Sequence, residues 1–191
     1  MKMEDAQRSQ LLLIDVQERL IPEMRDAEAC VETLSHLLQG AELLEVPTLV
    51  SEQYPAGLGP TIAPLLDQCG RASVFAKRHF SCAADTSIND HILSHAKCDG
   101  RRHVVLAGIE AHVCVLLTAF DLLAQGYDVT IVADAVTSRF SSDRDYGLEA
   151  ARAHGALVLP LETVLFGWCK TSAHLAFKPL SALIKQRGSD K

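Results

Sequence analysis

Three residues of complementary chemical types, Asp15, Lys77 and Cys114, each follow an apolar run that is typical of a β-strand. The runs cover residues 11–14, 74–76 and 103–109. Because the carboxyl ends of parallel strands meet at one edge of a sheet, we expect the carboxylate, the ammonium and the thiol to converge there. A thiolate is a strong nucleophile, a nearby ammonium lowers the pKa of a thiol, and a carboxylate can move protons. The combination therefore suits covalent attack on a carbonyl-like carbon.

The apolar stretch 113–123 predicts a helix that begins close to Cys114. Helix N-termini stabilise anions, and their free N–H groups could hold the oxyanion that forms when a carbonyl is attacked. Each residue also has an ordinary structural interpretation. Asp15 could cap a helix, Lys77 could be a solvated cation beside Arg78, and Cys114 could be a small buried apolar residue. Spacing alone suggests a site without establishing it.

Short apolar runs alternate with longer amphipathic stretches along the chain, which is the pattern of βα units. Strands are predicted at 11–14, 48–50, 74–76, 103–107, 129–133 and 157–159. Helices are predicted near 27–45, 60–69, 86–97, 112–125, 143–154 and 172–186. We therefore expect an α/β fold with three α-β-α layers around a six-stranded, mainly parallel sheet. The loop 54–60 should overhang the carboxyl edge of that sheet.

Composition narrows the possible roles. The chain has 191 residues, 48% of them hydrophobic, and we expect one domain over residues 1–191. A net charge of −6 leaves no basic face for phosphates, so nucleic acid is not an expected partner. No apolar run is long enough to span a membrane, and the polar N-terminus gives no secretory signal, so we expect a cytoplasmic protein. The six cysteines lack CxxC spacing and are expected to be reduced.

Several blocks together resemble the isochorismatase-like cysteine hydrolase family, and in particular its isochorismatase domain-containing subgroup. The blocks are Leu13-Ile14-Asp15-Val16-Gln17, residues 51–59 (SEQYPAGLG), 77–81 (KRHFS), 108–115 (GIEAHVCV), 126–129 (GYDV) and 134–139 (DAVTSR). They occur in the family's order and extend over roughly residues 10 to 170. The resemblance implies a Rossmann-like isochorismatase fold.

The resemblance also assigns roles. It implies that Asp15, Lys77 and Cys114 form a catalytic triad. It implies a non-proline cis peptide bond between Ile109 and Glu110, with the backbone N–H groups of Glu110 and Cys114 as oxyanion donors. No cofactor is implied.

One departure concerns metal binding. Nicotinamidases of this family have an Asp-x-His element after the second strand, whereas residues 51–55 here read SEQYP and contain no histidine. We therefore predict no metal site and disfavour a nicotinamidase.

Aromatic and imidazole side chains near the strand ends are the predicted substrate contacts. Tyr54, Phe80 and His112 are expected to line the pocket, and Trp168 and His79 are further candidates.

These observations predict a hydrolase that acts on a C–N, amide or imide-like bond of a small molecule through a covalent Cys114 intermediate. Two alternatives remain open at this point. One is a thiol redox sensor in which Cys82 resolves an oxidised Cys114, and the other is a non-catalytic member of the family. We also expect a homo-oligomer, because the stretch 164–169 (VLFGWC) is unusually apolar and could form an interface, although it could equally be an internal helix.

Overall fold

A computed structural model describes residues 5–70 and 72–187. Its strands are β1 (Ser9–Ile14), β2 (Thr48–Gln53), β3 (Ser73–Lys77), β4 (His103–Ile109), β5 (Asp128–Thr137) and β6 (Leu157–Leu159). They form one sheet in the order β3-β2-β1-β4-β5-β6, and every neighbouring pair is parallel. The predicted six-stranded sheet is confirmed. The order changes direction between β1 and β4, and such a switch point opens a crevice at the carboxyl ends of the strands.

Helices cover both faces of the sheet. They are α1 (Ala27–Leu43), α2 (Pro55–Leu58), α3 (Ala63–Leu66), α4 (Thr86–Cys98), α5 (Leu116–Ala124), α6 (Ser141–Ala153), α7 (Leu161–Cys169) and α8 (Phe177–Gln186). One buried cluster joins the sheet to α1, α3, α7 and α8, and a second joins it to α4, α5 and α6. The predicted three-layer arrangement is confirmed. No helix in the described ranges is long and apolar enough to cross a membrane.

Helix α7 is the internal helix that was the alternative interpretation of the stretch 164–169, and it corrects two expectations about that stretch. Four of the six residues 164–169 are buried against the sheet. The interpretation of this stretch as an exposed interface is therefore wrong. The indole N–H of Trp168 donates to Ser9 Oγ at 3.0 Å, at the first residue of β1. Trp168 therefore lies at the amino end of the strands, and the prediction that it walls the pocket is wrong.

Strand β2 is longer than predicted, because three polar residues, Ser51, Glu52 and Gln53, continue it beyond Val50. Ser51 pairs with Ile14 of β1, and Gln53 pairs with Lys77 of β3. Ser51 and Glu52 are buried in spite of their polarity. The carboxyl end of β2 is thus a polar segment between the strand ends that carry Asp15 and Lys77.

The close approach of β4 to β1 depends on Gly108. A Cβ at this position, where φ is +118°, would lie 2.1 Å from the backbone oxygen of Ile14.

We expect Gly108→Ala to destabilise the fold by about 4 kcal/mol or more, because backbone strain and steric overlap add. Gly155→Ala is the control: its φ is +101° but no atom lies within 4 Å, so we expect a loss of about 1 to 2 kcal/mol. Urea unfolding measures both, and equal losses would contradict the proposed overlap.

Candidate active site

The side chains of Asp15, Lys77 and Cys114 lie together at the carboxyl edge of the sheet. Lys77 Nζ is 2.7 Å from Asp15 Oδ2 and 3.7 Å from Cys114 Sγ. Their relative exposures are 0% for Asp15, 2% for Lys77 and 8% for Cys114, so the group is almost completely enclosed by protein. The strand-end positions thus do bring the three side chains together, as expected.

Strand ends fix both members of the ion pair. Asp15 follows β1 with a left-handed φ of 54°, and its N–H donates to Ser51 O at 3.0 Å. Lys77 is the last residue of β3, and its ammonium also donates to Gln53 Oε1 at 2.7 Å. The carbonyl oxygens of the two residues that precede Ser81 accept from the same ammonium at 3.1 Å each. A buried ammonium needs such partners, because each unpaired donor would carry a desolvation cost.

Cys114 lies on a single π-helical turn, Ala111–Val115, that connects β4 to α5. The N–H groups of Val113 and Val115 both donate to Glu110 O, at 3.1 and 3.2 Å. The peptide bond between Ile109 and Glu110 is cis. The predicted helix near the thiol exists, but its first turn is a π-turn and α5 begins only at Leu116. Such turns frequently occur at functional sites.

Electrostatics at the thiol differ from the simple expectation. Burial raises the pKa of Cys114 above its ordinary value of 9.0, the charge of Asp15 raises it further, and Lys77 only partly offsets both effects. The expectation that the neighbouring ammonium produces a low thiol pKa is therefore wrong. Burial alone would lower the pKa of Lys77, but the charge of Asp15 is the largest of the effects that outweigh it and raise that pKa. The resting site at neutral pH thus holds a neutral thiol beside a Lys77–Asp15 ion pair.

Asp15 Oδ2 is suitably placed to receive the thiol proton. It lies 2.7 Å from the ammonium of Lys77. The other carboxylate oxygen, Oδ1, accepts from Ser51 Oγ at 2.7 Å. One oxygen is therefore anchored by Ser51, and the other contacts the ammonium of Lys77.

The predicted substrate contacts have different surroundings. The Tyr54 N–H donates to Lys77 O at 3.0 Å, its ring lies 4.1 Å beneath the guanidinium of Arg78, and the residue is 43% exposed. Phe80 is 58% exposed and lies two residues before the buried Cys82. Both aromatics thus border the site at the surface, and their contact with a substrate stays a prediction.

The histidines near the site are engaged elsewhere. His112 Nδ1 is 3.0 Å from Ser138 Oγ, and its Nε2 is 3.7 Å from Asp143. His79 Nδ1 is 3.7 Å from Asp85. His112 thus contacts α6, and His79 contacts the residue before α4. A direct role for His112 in substrate binding stays a prediction.

Four residues of the site were not singled out as such from the sequence: Ser51 and Gln53 in β2, Gln17 after β1, and Thr118 in α5. Gln17 Nε2 donates to Gln53 O and Gly59 O, at 3.0 and 2.6 Å, and so fastens the loop after β2 to the loop after β1. Thr118 Oγ1 donates to Cys114 O at 2.6 Å. Ser51 and Gln53 could have been singled out from the sequence because they are polar residues at the end of an apolar strand.

Residues 5–70 and 72–187 contain no group of three or more histidine, cysteine, aspartate or glutamate side chains arranged to hold a metal ion. The absence of a metal from the reaction stays a prediction.

A sequence model of the isochorismatase domain family matches residues 9–163. Isochorismatase domain-containing protein 1 of Danio rerio is 39% identical over 171 residues, which are 90% of this chain and 59% of that protein. The chain belongs to the isochorismatase family. Since it spans only 59% of that relative, the relative's activity as a whole protein does not transfer directly.

Solved structures share the fold. One described as the MAR1 ribonuclease of Caenorhabditis elegans matches with a TM-score of 0.89 at 33% identity, over 96% of this chain and 93% of that chain. The YcaC gene product of Escherichia coli, described as an octameric hydrolase of unknown specificity, also has a TM-score of 0.89. That match is 21% identical and covers 100% of this chain and 93% of the other, so it bears on the fold alone.

Buried thiols make the stability dependent on pH. Burial raises the pKa of Cys30 to about 12 and that of Cys82 to about 11, and the pKa of Cys114 is also raised from 9.0. A raised pKa in the folded state gives stability that is complete below pH 9 and is lost as the pH rises, because only the unfolded thiols release protons. We expect the free energy of unfolding in reducing buffer to fall between pH 8 and pH 10, by roughly 1 kcal/mol per thiol.

Urea unfolding at the two pH values measures the change. Cys30→Ala serves as the control, because it removes one of these thiols far from the site and should reduce the pH dependence by one thiol's share. An unchanged free energy between pH 8 and pH 10 would contradict the assignment of buried neutral thiols.

Proposed function

We propose that this protein is a cysteine hydrolase that cleaves a C–N bond, of the amide or imide type, in a small molecule. The observation that carries the proposal is the enclosed contact of Lys77 with both Asp15 and Cys114. A carboxylate, an ammonium and a thiol in mutual contact provide a base, a charge-stabilising group and a nucleophile. Membership of the isochorismatase family supports the hydrolase class.

The first half of the reaction forms a thioester-like intermediate. Asp15 Oδ2 takes the proton from the Cys114 thiol as the sulfur attacks the substrate carbon, so that an S–C bond forms and the C–O π electrons move to oxygen. Collapse of this oxyanion breaks the C–N bond, and Asp15 returns the proton to the departing nitrogen. Lys77 stabilises the thiolate at 3.7 Å while the proton is on Asp15.

The second half uses water. Asp15, again ionised, removes a proton from a water molecule that attacks the acyl carbon. Collapse of the second oxyanion breaks the S–C bond, the sulfur regains the proton from Asp15, and the acid product leaves. The backbone N–H groups of Glu110 and Cys114 are proposed to hold the oxyanion in both halves, as the family resemblance implies.

The raised pKa of Cys114 fits this order of events, because the thiol stays protonated until Asp15 accepts its proton. The same property argues against the redox sensor, which requires a thiolate that is both exposed and readily formed. Burial also raises the pKa of the suggested resolving thiol, Cys82, to about 11.

Small substrates fit the site better than RNA does. The nematode structure is described as a ribonuclease, but the present chain carries a net charge of −6 and its thiol is 8% exposed. A polyanion requires a basic surface and an open groove. We therefore propose amides, ureides and carbamoyl compounds as the substrates to screen, without a metal or cofactor.

Alkylation with limiting iodoacetamide tests the nucleophile. We expect Cys114 to be labelled ahead of the four other cysteines that are buried or partly buried, Cys30, Cys69, Cys82 and Cys169, because Asp15 can accept its proton as the sulfur attacks; the exposed Cys98 is the internal reference. Peptide mass spectrometry measures both sites in one sample.

Cys114→Ser tests the same proposal through turnover. It keeps the shape of the site, and we expect it to abolish hydrolysis of any panel compound that the wild-type protein cleaves. Cys30→Ser, a buried cysteine remote from the site, should keep its activity. Full activity of Cys114→Ser, or equal labelling of all six cysteines in the wild type, would refute the nucleophile.

A homo-oligomer is also proposed, on grounds that differ from the sequence-based ones. Phe80, which lies three residues after Lys77, Leu117 in α5, and Phe140 and Tyr146 at the start of α6 are exposed large apolar residues. Contiguous exposed apolar surface commonly marks an interface. The octameric description of the E. coli structure agrees with this surface, although that relative shares only the fold.

Light scattering behind size-exclusion chromatography tests the assembly. We expect a mass that is a multiple of one chain at micromolar concentration, and we expect Phe140→Asp to reduce it. Leu175→Asp is the matched control, since Leu175 is 98% exposed and lies outside this surface. A wild-type species of one chain mass would reject the oligomer.

A further inference from the structure

Cys82 is a buried thiol beside the site that the proposed reaction does not use. It has 0% exposure, and its Sγ lies 3.4 Å from Ser51 Oγ. Ser51, also at 0% exposure, donates its hydroxyl hydrogen to Asp15 Oδ1 at 2.7 Å. Because that hydrogen is engaged, Ser51 Oγ can only accept at its contact with Cys82. The S–H group is therefore the donor, and the bonds run from Cys82 to Ser51 to Asp15.

The backbone of Cys82 takes part in a second chain of bonds. Its N–H donates to Thr118 Oγ1 at 2.9 Å, and the Thr118 hydroxyl donates to the carbonyl oxygen of Cys114 at 2.6 Å. Cys82 thus connects the carboxylate of Asp15 to the turn that carries Cys114. All of these groups are buried, so water does not compete for the bonds.

We propose that Ser51 and Cys82 are positioning residues that hold the Asp15 carboxylate in one orientation through the relay Cys82–Ser51–Asp15. With Oδ1 anchored by Ser51, the other oxygen, Oδ2, stays beside the ammonium of Lys77. The same oxygen can then receive the proton of Cys114 and return it to the leaving group. Neither residue touches the reacting atoms in this scheme. The inference rests on the proposed function, since it explains how its base is fixed.

The chemistry that each role requires distinguishes a positioning role of Cys82 from a redox role. A resolving thiol must lose its S–H proton and attack an oxidised Cys114. A positioning thiol needs only a donor at its site, which a serine hydroxyl also provides. The pair Cys82→Ser and Cys82→Ala therefore separates the two roles, because both variants lack sulfur and only Cys82→Ser keeps a donor.

The experiment measures the rate of Cys114 labelling by iodoacetamide from pH 5 to pH 9 in the 191-residue chain. We expect Ser51→Ala to slow labelling at pH 7 by more than about tenfold, because it removes a bond to a charged group. Cys82→Ala should slow it by about fivefold, and Cys82→Ser should stay within about twofold of the wild type. In the two alanine variants the acid limb of the profile should move to higher pH, because a carboxylate deprived of a donor holds its charge less well.

Ser9→Ala is the matched control, since Ser9 is a buried serine at the opposite end of β1, and its profile should be that of the wild type. If Ser51→Ala does not fold, as judged by circular dichroism, the comparison of the two Cys82 variants still tests whether the relay positions the Asp15 carboxylate. Equal slowing in Cys82→Ser and Cys82→Ala, or unshifted profiles in the alanine variants, would overturn the relay. Failure of the wild type to label Cys114 would instead overturn the proposed function itself.

Discussion

The ion pair between Lys77 and Asp15 is the interaction on which the rest of the site depends. Both side chains have no exposed surface, so each charge has lost its hydration. The effective penalty of such burial is several kcal/mol per ion, and mutual attraction repays it only when further hydrogen bonds satisfy both groups. Here those bonds come from Ser51 on the carboxylate and from Gln53 and two backbone carbonyls on the ammonium. The ends of three neighbouring strands are thereby held in one arrangement.

This constraint explains the polar end of β2. A strand between β1 and β3 would ordinarily continue with apolar residues, since both of its faces are covered. Ser51 and Gln53 are polar because each one supplies a partner to one member of the ion pair. Ser51 in turn accepts a hydrogen bond from Cys82, so the set of hydrogen-bonded partners extends beyond β2. The chemistry of the site thus determines residues on strands and loops that hold no reacting group.

Much of the fold was predictable from the sequence, because alternating apolar runs and amphipathic stretches reflect a sheet that is covered on both faces. The convergence of Asp15, Lys77 and Cys114 followed from their positions at strand ends. The choice between an interface and an internal helix at α7 stayed open, because an apolar run after the final strand does not reveal whether it faces the core or the solvent. For the same reason the sequence placed Trp168 wrongly, although its indole bonds to Ser9 at the far end of β1.

The direction in which the pKa of Cys114 moves could not be predicted, since the sequence shows which charges are present but not how deeply the thiol is buried. Beside Lys77 alone, the thiol pKa would fall. With burial and the carboxylate of Asp15 added, it rises. In the proposed reaction the Cys114 thiol therefore stays protonated until Asp15 accepts its proton.

That resting state also places a demand on the substrate. In the proposed reaction, proton transfer from Cys114 to Asp15 replaces the Lys77–Asp15 ion pair with a Lys77–thiolate pair, so the ammonium keeps a negative partner throughout. The total charge within the enclosure does not change, and the low-dielectric surroundings therefore oppose the transfer less than they would oppose the release of a proton to solvent. A neutral substrate carbon, such as that of an amide or ureide, would leave this balance undisturbed. A substrate with a charge at the reacting centre would require a further buried counter-ion, and Lys77 is already shared between Asp15 and Cys114.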